Sequence, residues 1–222
     1  MIARAPISYN VTAMIVQSDF DGTITEEDVS FALLDTFAQG DWRELFQYYR
    51  ENKIPVGEFN TRAFAMVKAS KAELLKVARD KVRLRAGLQE LVSYCRDRGF
   101  RFVIVSNGLD FYITAIMKDA GLGDIEVYAA KTRFHQGGVR VQYIGPDNTP
   151  MLSNFKDAYT KIFLKQDNRL VYVGNGPSDV PPAVHAHHVF ARDGMLDGCR
   201  EINLKCTPFN DLNDVVRGLE SL

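Results

Sequence analysis

Two aspartates stand two residues apart in the run Asp19-Phe20-Asp21-Gly22-Thr23. In an extended chain residues i and i+2 face the same way, so both carboxylates can approach one metal ion or one reacting group. Neighbouring carboxylates repel, which lets one of them keep a proton more readily. Such a pair can divide into a nucleophile and a general acid. Gly22 permits a tight turn and leaves its amide available to a phosphate oxygen. Taken alone, the same five residues also describe a strand end whose acids cap a turn.

Three further polar sites lie downstream. Ser106-Asn107-Gly108 follows the apolar run Phe102-Val103-Ile104-Val105. A hydroxyl with open backbone amides can hold phosphate oxygens, and a plain polar turn reads equally well. Lys156 falls in a predicted helix over 153–165. Its ammonium suits a phosphate, although most helix lysines are simply solvated. The run Gly174-Asn175-Gly176-Pro177-Ser178-Asp179 joins a strand to a helix. It is not a dinucleotide fingerprint, because Asp179 stands where the third glycine belongs and that fingerprint usually opens its domain. Asn175 and Asp179 read better as oxygen ligands of a metal, or as supports for such ligands.

The elements that must position these groups follow from periodicity. Ala13-Met14-Ile15-Val16-Gln17-Ser18 is a short apolar run, predicted as a buried strand that delivers Asp19 at its C-terminal end. Over 28–83 apolar residues recur at helical spacing: Phe31, Leu34 and Phe37, then Leu45, Phe46 and Tyr49, then Phe59, Ala63 and Val67, then Leu74 and Ala78. Gly40, Pro55 and Ser70 punctuate them, which predicts about four short helices. Helices are predicted over 88–98, 111–120, 153–165 and 212–222. Strands are predicted over 102–105, 125–128, 170–173 and 188–191, with a hairpin over 132–143 around Gly137-Gly138. The alternation implies an α/β fold, a Rossmann-like parallel sheet core with an inserted helical cap. The core would comprise residues 1–27 and 84–222, and the cap 28–83.

Composition narrows the function. A chain of 222 residues with 46% apolar and 25% charged residues has the make-up of an ordinary globular protein with a sizeable core. A formal net charge of −1 gives no global field to recruit nucleic acid or an anionic membrane, so an anionic substrate must be held by local groups. No apolar stretch approaches the ~20 residues that span a bilayer. The N-terminus does not read as a signal peptide, and 1–11 reads as a loose tail. Cys95, Cys199 and Cys206 include no Cys-x-x-Cys pair. A Cys199–Cys206 disulfide is conceivable, but thiols in a reducing cytoplasm are the expectation.

In identity and order, Asp-x-Asp-Gly-Thr at 19–23, Ser106 after an apolar strand, Lys156 before the last core strand and the Gly-Asn-Gly-x-x-Asp loop resemble the haloacid dehalogenase-like hydrolases. The resemblance covers the chain from Ile15 onward. The helical insertion stands where subclass I of that family carries its cap. Ser106-Asn107-Gly108-Leu109-Asp110 and Asn154-Phe155-Lys156 look like the motifs of the phosphoserine phosphatase subgroup. That subgroup includes the methionine-salvage phosphatases acting on an enolic methylthiopentenyl phosphate.

The resemblance implies that Asp19 attacks phosphorus to give an aspartyl phosphate. Asp21 would protonate the leaving alcohol and then activate water. It implies Mg²⁺ held by Asp19, the Asp21 carbonyl and Asn175, with Asp179 orienting a metal-bound water or Lys156. Ser106, Asn107, Gly22 and Lys156 would bind the phosphate. The expected partner is a small phosphorylated metabolite, with no nucleic acid and no membrane, and a homodimer is compatible. The family usually has an acid where this chain has Asn175. The site then loses one negative charge, and metal affinity should fall by roughly 10–100-fold. The alternative is a phosphometabolite-binding or regulatory module of the same fold with attenuated catalysis. Phosphoserine phosphatases carry a substrate-contacting Glu where this chain has Asp28, and a cap arginine for which Arg62 is in the right region. The cap aromatics are expected to form its own core, with one or two walling the leaving group. His185, His187 and His188 are expected to be a surface cluster and Trp42 a packing residue.

Overall fold

The computed structural model describes residues 14–165 and 168–222. The expected tail at 1–11, and Ala13 at the head of the predicted strand, lie outside the described residues. The first apolar run forms β1 (Met14–Ser18), followed by α1 (Val29–Phe37), α2 (Trp42–Arg50), α3 (Val56–Ala65) and α4 (Lys71–Lys81). Next come α5 (Leu88–Asp97), β2 (Arg101–Leu109), α6 (Asp110–Asp119), β3 (Glu126–His135), β4 (Gly138–Ile144), β5 (Pro150–Met151) and α7 (Phe155–Leu164). The chain closes through β6 (Arg169–Gly174), a 3₁₀ turn at Pro177–Asp179, α8 (Val180–Ala183), β7 (His188–Ala191), α9 (Asp193–Glu201), β8 (Thr207–Pro208) and α10 (Leu212–Glu220).

The strands form one eight-stranded sheet in the order β5-β4-β3-β2-β1-β6-β7-β8. The strands from β3 to β8 pair in parallel, and β4 and β5 are antiparallel additions. The run Ile15–Ser18 is buried without interruption. Successive strand side chains point to opposite faces, so both faces of β1 are covered, as a parallel sheet requires. The predicted hairpin is present, with Thr132 opposite Val141 and His135 opposite Gly138.

Two strands are longer than the apolar runs suggested. β2 continues through Ser106 to Leu109, with a register shift against β3 between Val105 and Leu109. Ser106 therefore sits on an irregular strand segment rather than in a turn after it. β3 extends to His135 because its far half exchanges β2 for β4 as a partner. The two-residue strands β5 and β8 are too short to carry a period, whereas α9, which buries Met195 and Cys199 four residues apart, is a helix that the sequence reading omits.

Three of the four helices after β1, all but α3, start on side-chain caps. Asp28 accepts from the Phe31 amide, Asp41 from those of Arg43 and Glu44, and Ser70 forms a reciprocal box with Glu73. Their shared core is aromatic. Phe31 meets Trp42 at 5.0 Å and Phe46 at 4.8 Å between ring centroids, and Tyr49 stacks on Phe59 at 5.8 Å. Trp42 is buried, as expected of a packing residue.

The segments entering and leaving these helices run side by side. Thr25 and Leu84 form an antiparallel bridge, the Glu26 amide donates to Arg83 O at 2.9 Å, and the Arg85 amide to Ile24 O at 2.8 Å. Residues 76–85 form a run rich in Lys and Arg. Most of it is exposed, but Arg85 turns inward. Its guanidinium donates to the carbonyls of Thr23 at 2.8 Å, Gly22 at 2.9 Å and Thr25 at 3.1 Å. One planar fork thus satisfies three buried carbonyls of the turn that follows Asp19 and Asp21. Arg85→Met should lower stability by roughly 2–4 kcal/mol, since those acceptors lose a charged donor. Urea unfolding would show this, and Arg85→Lys should recover only part, because an ammonium cannot span the same fork.

Candidate active site

Parallel pairing brings the polar residues together. Ser18 is in register with Ile104 of β2 and Val173 of β6. The next residues on each strand, Asp19, Val105-Ser106 and Gly174-Asn175, therefore emerge along one edge of the sheet. The Asp19 amide donates to Val173 O at 2.9 Å, which continues the ladder past β1. Carboxyl ends of parallel strands are where open α/β sheets place ligands.

Lys156 enters this edge from the first turn of α7. Far from being solvated, it is buried, with Nζ 2.9 Å from Asp19 Oδ2 and 2.7 Å from Asp179 Oδ1. Asp179 is fully buried and fully used. It also accepts from Tyr172 Oη at 2.7 Å and from the amides of Asn175 and Gly176 at 3.2 and 3.0 Å. Lys156, one of the two partners expected for Asp179, is thus among its contacts. Burial would lower the Lys156 pKa, but the facing Asp179 and Asp19 carboxylates override it and raise it, so the ammonium stays charged. Burial, and then the charge of Asp179, push Asp19 up to about 7 against the pull of Lys156.

Asp21 lies beyond the strand, so the i, i+2 strand argument does not place it. It is placed by the turn, in which the amides of Thr23, Ile24 and Thr25 all donate to Phe20 O. Asp21 Oδ1 accepts from the Val29 amide at 2.9 Å and Oδ2 from Tyr112 Oη at 2.5 Å. Burial first, and then the Asp28 carboxylate, raise its pKa well above the ordinary carboxylate range. Asp19 and Asp21 thus have unlike surroundings, one facing an ammonium and one facing neutral donors.

Both open into a cleft of about 420 Å³ whose floor also includes Ser106, Lys156 and Asn175. Phe31, Phe46, Tyr49 and Phe59 wall it on the helical side, so these residues serve both the packing of those helices and the cleft. Ser106 Oγ accepts from the Gly108 amide at 3.0 Å, which leaves its own hydrogen free for a ligand. Asn107 lines the cleft too. Its carbonyl accepts from Asn60 Nδ2 at 3.0 Å and from the Tyr143 hydroxyl, and its buried Oδ1 has no hydrogen-bond partner among the described residues. That atom is an acceptor awaiting a donor.

Two expected site residues are elsewhere. The Gly22 amide is not open to phosphate, because it donates to Thr25 Oγ1 at 3.1 Å as the turn winds back on itself. Gly22 has φ +77°, and a Cβ there would run into the Asn175 amide, so its glycine serves the close approach of two loops. Arg62 lies on the outer face of α3 and pairs with Glu58 at 3.0 Å, because Phe59, Asn60, Ala63 and Phe64 take the inner face. Arg50, at the end of α2, is the arginine that lines the cleft. Asp28 does line it, but as the N-cap of α1, with burial pushing its pKa up to about 6. Sequence reasoning also missed Tyr112, Tyr172 and Asn60, whose partners lie far away along the chain or on another element.

Asp19 and Asn175 line the same cleft and, with the Asp21 carbonyl, are oxygen donors of the kind a hard divalent cation takes. Asn175 Oδ1 accepts from Thr23 Oγ1 at 2.9 Å, and its second lone pair can serve a metal. Lys156 pairs with both Asp19 and Asp179, so with both carboxylates ionised the three groups together keep one net negative charge. His185 pairs with Asp157, His187 accepts from the Leu170 amide and His188 contacts Thr207, so the three rings face different partners. Cys95, Cys199 and Cys206 carry free thiols.

A sequence model of the haloacid dehalogenase-like hydrolases matches residues 16–183. A 2-hydroxy-3-keto-5-methylthiopentenyl-1-phosphate phosphatase of Geobacillus kaustophilus is 29% identical over 214 residues, covering 94% of this chain and 96% of that protein. The enzyme of the same name from Brevibacillus brevis is 27% identical over 213 residues, with the same coverage. Among solved structures, a phospho-aspartyl intermediate analogue of phosphoserine phosphatase superposes with a TM-score of 0.71 at 18% identity, covering 93% of this chain and 98% of that one. That likeness bears on the fold. No helix of the described residues is long and apolar enough to cross a membrane.

Removing Lys156 would leave Asp19 and Asp179 facing each other in a buried site. Lys156→Met should cost roughly 3–5 kcal/mol of stability, read from denaturant unfolding. Adding Asp179→Asn to that variant should recover part of the loss by removing one uncompensated charge.

Proposed function

Since the chain belongs to the haloacid dehalogenase-like hydrolases and is a phosphoric monoester hydrolase, we propose that it cleaves a small phosphomonoester through a phosphoryl group carried on Asp19. The observation behind this reading is the asymmetry of the two aspartates. Asp19 is held by the Lys156 ammonium at the floor of the cleft, while Asp21 has both oxygens on neutral donors. A carboxylate beside an ammonium is the better nucleophile toward an anionic phosphate, because the charge repulsion is offset. A carboxyl among neutral donors in a dry site keeps a proton.

In the first half-reaction an oxygen of Asp19 attacks phosphorus, the bond to the leaving oxygen breaks, and Asp21 gives its proton to that oxygen. In the second, Asp21 takes a proton from water as the water oxygen attacks phosphorus, which releases phosphate and restores Asp19. Lys156 and the free hydrogen of Ser106 stabilise charge on the phosphoryl oxygens. Asp19, the Asp21 carbonyl and Asn175 would hold Mg²⁺, which supplies positive charge against the phosphate when bound.

The leaving group faces Phe31, Phe46, Tyr49 and Phe59, so a short apolar chain is favoured. A thioether fits well, since sulfur packs favourably against aromatic rings. The methylthiopentenyl phosphate named for the relatives has that character. Asp28 is committed to capping α1 and Arg62 faces outward, so the carboxylate and amine of phosphoserine lack those two partners. In this reading residues 28–83 are the cap over a core of 1–27 and 84–222.

Asn175 favours a second reading, a phosphometabolite-binding module with attenuated turnover, because it removes an anionic metal ligand. Three measurements separate the readings. Asp19→Asn should lose at least about a thousandfold in kcat, and retained activity would sink the nucleophile. Asn175→Asp should tighten Mg²⁺ binding about tenfold or more by calorimetry and raise turnover at limiting Mg²⁺. Absence of wild-type turnover at any Mg²⁺, with ligand-induced stabilisation intact, would favour the second reading. Across a panel of phosphates, a methylthioalkyl ester should exceed phosphoserine by about tenfold or more in kcat/KM.

A further inference from the structure

Asp21 ends a hydrogen-bonded chain of two further side chains, Tyr112 and Ser30, that come from two different helices. Tyr112 Oη on α6 lies 2.5 Å from Asp21 Oδ2, and Ser30 Oγ on α1 lies 2.8 Å from Tyr112 Oη. Tyr112 is fully buried, and its ring centroid is 5.5 Å from that of Phe111 and 6.2 Å from that of Phe20. The backbone is bare where the chain passes. A Cβ at Gly108 would run into both Tyr112 Oη and Asp21 Oδ2. The glycine of Ser106-Asn107-Gly108 therefore leaves room for this hydrogen bond.

We propose that Tyr112 is a positioning residue for proton delivery by Asp21, kept in its donor role by Ser30. The proposal rests on the reading of Asp21 as the general acid. A carboxyl group has about four lone-pair sites. The Val29 amide, which can only donate, fills one on Oδ1. Tyr112 has a single hydrogen. With that hydrogen on Asp21 Oδ2, its oxygen must accept from Ser30, so Ser30 is assigned as the donor of that pair. The inward sites of both carboxyl oxygens are then filled by donors. A proton on Asp21 must sit on an outward site, toward the cleft and the leaving oxygen. With Phe at 112 the inward site of Oδ2 would be empty. The proton could then turn inward, and the carboxyl plane would be held at one oxygen only.

The consequence is selective. An alkoxide is a poor leaving group and needs its proton during bond cleavage, whereas 4-nitrophenolate leaves readily without it. The test compares kcat/KM for n-pentyl phosphate and 4-nitrophenyl phosphate, which reports on steps up to phosphoryl transfer onto Asp19. Tyr112→Phe should reduce the alkyl value by roughly tenfold more than the aryl value. Ser30→Ala should shift the ratio in the same direction by a smaller factor. Within an Asp21→Asn background, Tyr112→Phe should produce no further change in the ratio.

Equal losses on both substrates, or losses that follow thermal stability without changing the ratio, would overturn the positioning role. Asp21→Asn by itself separates the two levels of the argument. If it alters the alkyl-to-aryl ratio and Tyr112→Phe does not, the role of Tyr112 alone fails. If Asp21→Asn leaves the ratio unchanged, Asp21 is not the acid, and the proposal falls with that reading.

Discussion

The site depends on one buried ammonium. Lys156 has almost no access to water and must have negative partners at hydrogen-bond distance to remain charged. It finds two, Asp19 just after β1 and Asp179 in the 3₁₀ turn that follows the adjacent strand β6. That requirement explains much of the surrounding design. Asp179 has to be buried to meet the ammonium, and its remaining lone pairs are satisfied by Tyr172 and two loop amides. Gly174-Asn175-Gly176 wraps a carboxylate, so the loop's shape follows from Asp179 as much as from any ligand. Asp19 is left with one oxygen on the ammonium and its charge directed at the cleft.

Asp21 is governed from the other side. Its partners are the Val29 amide at the start of α1 and the Tyr112 hydroxyl on α6, and Ser30 of α1 sits behind Tyr112. The helices after β1 thus do more than wall the cleft with aromatic rings, because the start of α1 also orients a carboxyl group of the site. The entering and leaving segments are pinned to each other and to Arg85, whose guanidinium holds the carbonyls of the same turn. A disturbance of that turn would reach both aspartates.

Charge count gives Asn175 its significance. The floor holds one ammonium, Asp179 spent on it, Asp19 facing both it and the cleft, and a neutral amide where a further acid would be usual. The amide oxygen is steadied by the Thr23 hydroxyl. A neutral amide would exert less electrostatic pull on a bound divalent cation than a carboxylate at the same place.

The order of the polar motifs and the apolar runs before them could be read without coordinates, because each run is local and ends on its own polar residues. Asp19 at a strand end, the four helices after β1, the hairpin around Gly137-Gly138 and the Gly-Asn-Gly loop were legible for this reason. Partners across the fold were not. Tyr112 and Asp21 are separated by most of a hundred residues, and no period links them. Helical phase alone did not say that Arg50 rather than Arg62 would line the cleft, since that depends on which face of α3 the rest of the insertion covers. Nor could it show that Gly22 spends its amide on Thr25. Which chemical groups are present, and at which strand ends they emerge, follows from neighbours along the chain. Which groups face one another and which lone pairs stay open is set by burial and hydrogen-bond distance between elements that meet after folding.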